Sequence, residues 1–487
     1  MNAAIDIKQA IRAISADVLH GYIRELTSER FGGRLSGTPE YKAAAEWAAG
    51  QLLRWGLAPA GDEGTFLQAF PNPYTRIHPG GELALHGIAA NRTTDRRYAY
   101  ERDYFPGGTT GCGRVTAGVV YAGFGISAPG LGYDDYAGID VRGKIVLLEP
   151  EVPLASEFEP GFDPSVFPAW RPYSFHQYKL DNARAHGALG MIYDCGPMAM
   201  PNNVFRPGFV YSVVGRTVVE DIFAGTGRAH AEEYAAIRKE LKPRSFATGK
   251  TVTLHNLSEH HPQGTGYNVI GLIPGFDPAL RDEAILIAGH LDHCGRCWEL
   301  LPGANDDASA VAVALGIAEA FVRSGLRPRR TIALVFFGGE EQGFLGSEYY
   351  CAHPPIPLDR TAAMINMDLV GRGEAIFAYA GLNYPDFWAF FEEANRSFIH
   401  RPLATIGVAN LGRPRLDGAI LAARGVPTVS FALVGPDGRS PGSHDTGDTA
   451  ESITPEPMAD LSRLIFAAVA DMAGRDVLNF RASGERE

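Results

Sequence analysis

The chain has 487 residues, 45% hydrophobic and 21% charged, longer than the roughly 250–300 residues at which a single core stops growing, so two domains are expected and a disordered or low-complexity chain is excluded. Lys and Arg number 44 against 56 Asp and Glu, and the net charge of −12 repels phosphate backbones and anionic lipid, which argues against nucleic acid or a membrane surface as partner. Five cysteines are too few, and odd in number, for a disulfide framework.

The first residues, "MNAAIDIKQAIRAISADVLHGYIREL", show helical spacing without a continuous apolar run of signal-peptide length. No segment elsewhere approaches the roughly 20 apolar residues of a membrane span. A soluble, cytoplasmic protein is expected, although a mature exported chain would read the same way. "PEYKAAAEWAAGQLLRWG" predicts a helix at 39–56. Residues 111–262 differ in texture: "RVTAGVVYAGFGISAPGLGYDDYAGIDVRGKIVLLEPEVP" is rich in Gly, Val and Tyr with frequent turn signals, and reads as a β-rich module. It holds one predicted helix at "FHQYKLDNARAHGA" and a strand at "LGMIYD".

From Glu283 onward short apolar runs alternate with helical stretches. "EAILIAG", "RTIALVFF" and "AAMINMDL" predict strands, with "ASAVAVALGIAEAFVRSG", "SEYYCAH" and "PDFWAFFEEANRSF" as helices. "GAILAARGVPTVSFAL" reads as a helix followed by a strand, and "PEPMADLSRLIFAAVADMAG" as a last helix. The expected fold class is α/β: a mostly parallel mixed sheet flanked by helices, with a β-rich insertion. Residues 1–110 and 263–487 would form a discontinuous catalytic domain around the inserted domain at 111–262.

Charged and imidazole groups fall directly after the predicted strands. His290 and Asp292 follow the first, Glu340 and Glu341 the second, Asp368 the third, and His444 lies in "GSHDTGDT" after the last; Asp306 and Asp307 in "PGANDDASA" precede a helix. All belong at the carboxyl ends of the strands, where such sheets bind ligands. Singly, each has an ordinary reading as a satisfied histidine, a helix cap or a solvated turn. Together, so many carboxylates at one sheet end repel one another unless cations offset them. Two histidines with carboxylates suit Zn²⁺, and Co²⁺ or Mn²⁺ could occupy the same donors. One metal would use His290 and Asp368 and another Glu341 and His444, with Asp306 bridging. Glu340 is then free to act as general base, and Asp292 to accept the other ring N–H of His290, a turn-forming aspartate being its plain alternative.

The succession "HLDH", "GANDDAS", "GGEEQGFLGS", "NMDLVGR", "SHDTGDT" resembles the co-catalytic zinc aminopeptidases and carboxypeptidases of metallopeptidase family twenty-eight. "GRLSGTPEYKAAAEWAAGQLLRWGL" is similar to that family's N-terminal segment, and residues 111–262, above all "YAGFGISAPGLGYDDYAGIDVRGKIVLL", resemble its inserted protease-associated domain. The resemblance implies the zinc exopeptidase fold and two Zn²⁺ held by His290, Asp306, Glu341, Asp368 and His444. It also implies Glu340 as general base, Asp292 as the orienting carboxylate, and hydrolysis of peptide N-termini by a metal-bridging hydroxide. A carboxypeptidase, a dipeptidase or another amide hydrolase on the same site is the alternative. A non-catalytic receptor is a further one, opposed by the retention of all five ligands and Glu340. The insertion could cap the site or mediate oligomer contacts.

Two departures stand out. "HCGRC" puts Cys294 and Cys297 beside the first ligand, where the spacing admits a disulfide, a redox lock or an extra metal site, and two reduced thiols are the plain reading. Arg413 and Arg415 precede Asp417, either to bind a substrate carboxylate or as ordinary surface charges.

Overall fold

The computed structural model describes residues 7–89, 92–108, 110–156, 159–201, 205–411, 415–438 and 444–480. It divides into two compact units, Met1–Tyr74 with Pro262–Glu487, and Thr75–His261.

The strands of the first unit include β1 (Leu67–Pro71), β2 (Thr265–Ile273), β3 (Ala284–His290), β4 (Thr331–Phe337), β5 (Thr361–Met367), β6 (Ala375–Tyr379), β7 (Leu403–Ile406) and β8 (Thr428–Val434). They run in the order β2-β4-β3-β5-β8-β6-β7, with β1 beside β2. The four central strands are parallel; β1, β2 and β6 pair antiparallel with their neighbours, and β7 runs parallel to β6. Every residue of β3 and β4 is buried. That explains their unbroken apolar sequences, since a parallel strand covered on both faces has no solvent side to alternate with.

The helices of this unit include α1 (Ala16–Leu26), α2 (Pro39–Arg54), α3 (Ser309–Ser324), α4 (Leu345–Ala352), α5 (Pro385–Ala394), α6 (Asp417–Ala422) and α7 (Pro455–Gly474). Thr38 caps α2 by accepting the Tyr41 N–H at 3.1 Å, with Pro39 in the first turn. α3 is buried from Ser309 to Phe321 and ends at Gly325, whose left-handed backbone closes the helix. No described helix is long and apolar enough to cross a membrane.

Register brings the strand ends level. His290 lies opposite Phe337, Ala288 opposite Asn366, and Met367 opposite Phe431. Main-chain bonds carry the alignment one residue further, from Leu291 N–H to Phe337 O (2.8 Å) and from Asp368 N–H to Phe431 O (3.1 Å).

In the second unit strands 246–261, 113–121, 145–148, 190–193, 210–214 and 104–106 are successive neighbours, the middle four parallel, with 74–89 on the far side of 246–261. The division falls at residue 74 rather than 110 because 74–89 and 104–106 are hydrogen-bonded into this sheet. Besides the expected helix, found at His176–Ala185, it contains helices Arg216–Phe223 and His230–Glu240, which the sequence reading did not anticipate.

Candidate metal centre

The turns after β3, β4 and β5, the segment entering α3 and the segment after β8 bring their polar groups together. Asp306 is the hub: its Oδ1 lies 3.2 Å from His290 Nε2 and its Oδ2 3.1 Å from His444 Nε2. On the first side, Asp307 Oδ2 and Asp368 Oδ1 stand 3.9 and 4.0 Å from His290 Nε2. On the second, Glu341 Oε2 is 3.0 Å from His444 Nε2, and its Oε1 is 2.9 Å from His293 Nδ1 and 3.7 Å from Cys294 Sγ. Donor atoms of His290, Asp307 and Asp368 lie within 4.8 Å of one another, as do those of His293, Cys294, Glu341 and His444.

The loops are held from behind. Arg34, fully buried, donates from Nε to Leu291 O (2.8 Å), from Nη1 to Leu26 O and Pro302 O (both 2.8 Å), and from Nη2 to Gly303 O (2.7 Å). Its own carbonyl accepts the His293 N–H at 3.1 Å, and Gly33 O accepts the Gly295 N–H at 2.9 Å. One guanidinium thus ties the segment after His290 to the segment before Asp306. Asp448 fixes the latter from the other side, accepting the Asn305 N–H at 2.9 Å and the Asp306 N–H at 3.1 Å. Replacing Arg34 by Met removes the donor from four carbonyls, three of them buried, so Arg34→Met is expected to lower stability by about 3 kcal/mol, read as a lower urea midpoint.

Asp292 differs in detail from the expectation. The oxygen nearest His290 Nδ1 is the Asp292 carbonyl, at 3.1 Å, while the carboxylate Oδ1 is 3.7 Å away, too far for a good hydrogen bond. The carboxylate instead accepts the N–H groups of Glu340 (3.2 Å) and Glu341 (3.3 Å). It thereby fixes the turn that carries both glutamates, as well as facing the imidazole.

Burial drives the electrostatics. It raises Glu340 well above the usual carboxylate range, helped by Glu341 and Asp368, and pushes Asp368 up to about 7, helped by Asp306 and Glu341. Asp306 moves the other way: against burial, the hydrogen bonds from His290 and His444 bring it well below its ordinary value. Against burial, Asp307 and Glu340 raise His290, and Cys294 and Glu341 raise His444. So many buried carboxylates around two imidazoles are the donor set a pair of divalent cations would satisfy, with oxygen and nitrogen ligands suited to zinc.

All seven predicted site residues therefore meet at one end of the sheet. Sequence reasoning assigned no role to Arg34, His293, Asp307 or Asp448; the doubled Asp of "NDD" and the second His of "HLDH" were the available signals. Cys294 and Cys297 are both buried, and neither is in a disulfide. Arg413 lies outside the described residues; Arg415 is exposed, whereas Asp417 is buried, and that burial pushes its carboxyl up to about 7.

A second cluster in the other unit, Glu149, Asp194 and His230, has a different character. His230 Nε2 is 2.6 Å from Glu149 Oε1 and 3.4 Å from Asp194 Oδ2, but Arg216 Nη1 meets Nδ1 at 2.5 Å. The guanidinium already supplies the cation there.

Residues 268–469 match the profile of Peptidase family M28. An aminopeptidase from Aneurinibacillus sp. strain AM-1 has the same fold, with a TM-score of 0.66 at 21% identity over 98% of both chains. A zinc aminopeptidase from Bacillus subtilis aligns over 94% of this chain and 95% of its own, with a TM-score of 0.62 at 19% identity. Among curated proteins, leupeptin-inactivating enzyme 1 of Streptomyces exfoliatus is 34% identical over 150 residues, 30% of this chain and 32% of that protein. Carboxypeptidase Q of Xenopus laevis is 35% identical over 95 residues, 19% of each. The match thus spans about a third or less of these two curated relatives.

Proposed function

We propose, on the footing that residues 268–469 belong to peptidase family M28, that the chain is a zinc-dependent exopeptidase, an aminopeptidase with two zinc ions. The observation that carries this reading is Asp306, whose two oxygens divide between His290 and His444 at 3.2 and 3.1 Å. His290 and Asp368 would hold one ion, Glu341 and His444 the other, and Asp306 would bridge them. When bound, zinc polarises the scissile carbonyl and acidifies the attacking water.

The chain's own groups do the rest. The Glu340 carboxylate takes the water's proton and returns it to the leaving amine. Asp292, bonded to the Glu340 and Glu341 N–H groups, keeps the base beside the ligand and stops the turn from rotating. A free substrate α-amine is attracted by the surplus of carboxylates, which confines cleavage to N-termini.

A panel of chromogenic aminoacyl amides, their N-acetylated counterparts and dipeptides, assayed before and after chelation and zinc add-back, tests the reading. Free-amine substrates should be cleaved, the rate should vanish with chelator, and zinc should restore it. Cleavage confined to blocked substrates or dipeptides would reassign the chain to the carboxypeptidase or dipeptidase branch, the activity named in its carboxypeptidase Q relative.

A further inference from the structure

We propose that Cys294 is a ligand of the zinc held by Glu341 and His444, giving that position one sulfur donor beside two oxygens and a nitrogen. The inference rests on the zinc reading above and assigns a role to a residue which that reading leaves aside.

Cys294 is 4% exposed and its Sγ lies 3.7 Å from Glu341 Oε1. Its sulfur also lies within 4.8 Å of a ring nitrogen of His444. A tetrahedral ion with Zn–S near 2.3 Å and Zn–N or Zn–O near 2.0–2.1 Å keeps its donors roughly 3.3–3.6 Å apart. The separations here, 3.0 Å for Glu341–His444, 3.1 Å for His444–Asp306 and 3.7 Å for Cys294–Glu341, bracket that spacing. The donor atoms of Cys294, Glu341 and His444 all lie within 4.8 Å of one another, and Asp306 Oδ2 stands 3.1 Å from the same His444 nitrogen.

The thiol is also held in place. The N–H groups on either side of it, those of His293 and Gly295, bond to Arg34 O and Gly33 O. His293, fully buried, engages Glu341 Oε1 through Nδ1 and leaves Glu341 Oε2 facing His444. Its Nε2 has no hydrogen-bond partner among the described residues, so the cluster holds a further nitrogen as well as the sulfur. As a thiol, Cys294 would be a weak donor against a carboxylate; beside a divalent cation it gives its proton to solvent and binds as thiolate.

The chemical consequence is an unequal pair of metal positions. Four protein donors with one thiolate make a closed, soft site that favours zinc, cobalt or cadmium over manganese or magnesium. The position of His290 and Asp368 keeps oxygen and nitrogen donors only.

The test uses the full chain loaded with cobalt. The wild type should show a near-ultraviolet thiolate-to-cobalt charge-transfer band with the first equivalent. Cys294→Ser should bind cobalt with its visible d–d bands intact, lack that band, and lose the first equivalent to a competing chelator at least about 10-fold more readily. X-ray absorption on wild-type zinc protein should find sulfur in the metal's shell, a measurement independent of how the variant folds. Visible d–d bands without a charge-transfer band in the wild type, a band that persists in Cys294→Ser, or an all-nitrogen and oxygen shell would overturn the assignment. Absence of any cobalt binding would overturn the zinc reading itself, and the missing d–d bands would tell the two failures apart.

Discussion

Glu340→Gln is expected to keep its bound zinc and lose about 10²–10⁴-fold in kcat, the usual contribution of a general base. Glutamine preserves the side chain's shape, and the main-chain N–H of residue 340 still reaches Asp292 at 3.2 Å, so the turn and the neighbouring ligand Glu341 stay in place. What disappears is an oxygen able to take and return a proton. The loss should fall on kcat with KM little changed, because proton transfer belongs to the transition state and not to substrate binding. Metal content by atomic absorption, measured alongside steady-state rates on an aminoacyl amide, checks both halves. A variant with full zinc and a near-normal rate would remove Glu340 from the mechanism.

Asp306→Ala should have a comparably large effect and differ in kind. Asp306 is within 3.2 Å of both imidazoles, so its removal takes an oxygen from each metal position at once. Zinc retained after dialysis is expected to fall below the wild-type level, and activity to fall by at least about 10³-fold, as loss of several kcal/mol of metal-assisted stabilisation implies. Zinc add-back should not restore it, in contrast to chelated wild type. Wild-type zinc content with substantial activity would show that the two positions do not share this carboxylate.

Much of the first unit was legible because its central strands are buried on both faces, which writes them as unbroken apolar runs such as "AILIAGH" and "TIALVFF". Part of the site was legible for the same reason: His290, Glu341 and Asp368 stand at or just beyond the ends of such runs, whereas Asp306 precedes a helix and His444 lies in the loop after β8. β6 and β7 were not anticipated, being four or five residues long and only partly buried near the sheet's edge. The boundary at 74 was hidden by Pro79-Gly80-Gly81, which reads as a turn yet lies within the 16-residue strand Tyr74–Ala89. Arg34 and Asp448 escaped because their roles come from folding: Arg34 meets Leu291 across 257 positions and Asp448 meets Asn305 across 143, and no local pattern encodes such a pairing.

That clamp also sets an order of events during synthesis. Arg34 leaves the ribosome long before Leu291, Pro302 and Gly303, and the whole of Thr75–His261 emerges between them. The N-terminal segment, its guanidinium bonded locally only to Leu26 O, must wait for its three distant carbonyl partners, and closing so long a loop is slow. On the proposed zinc reading, the metal centre would form only after residue 291 and the later ligands have emerged, so a nascent chain halted before that point would lack it.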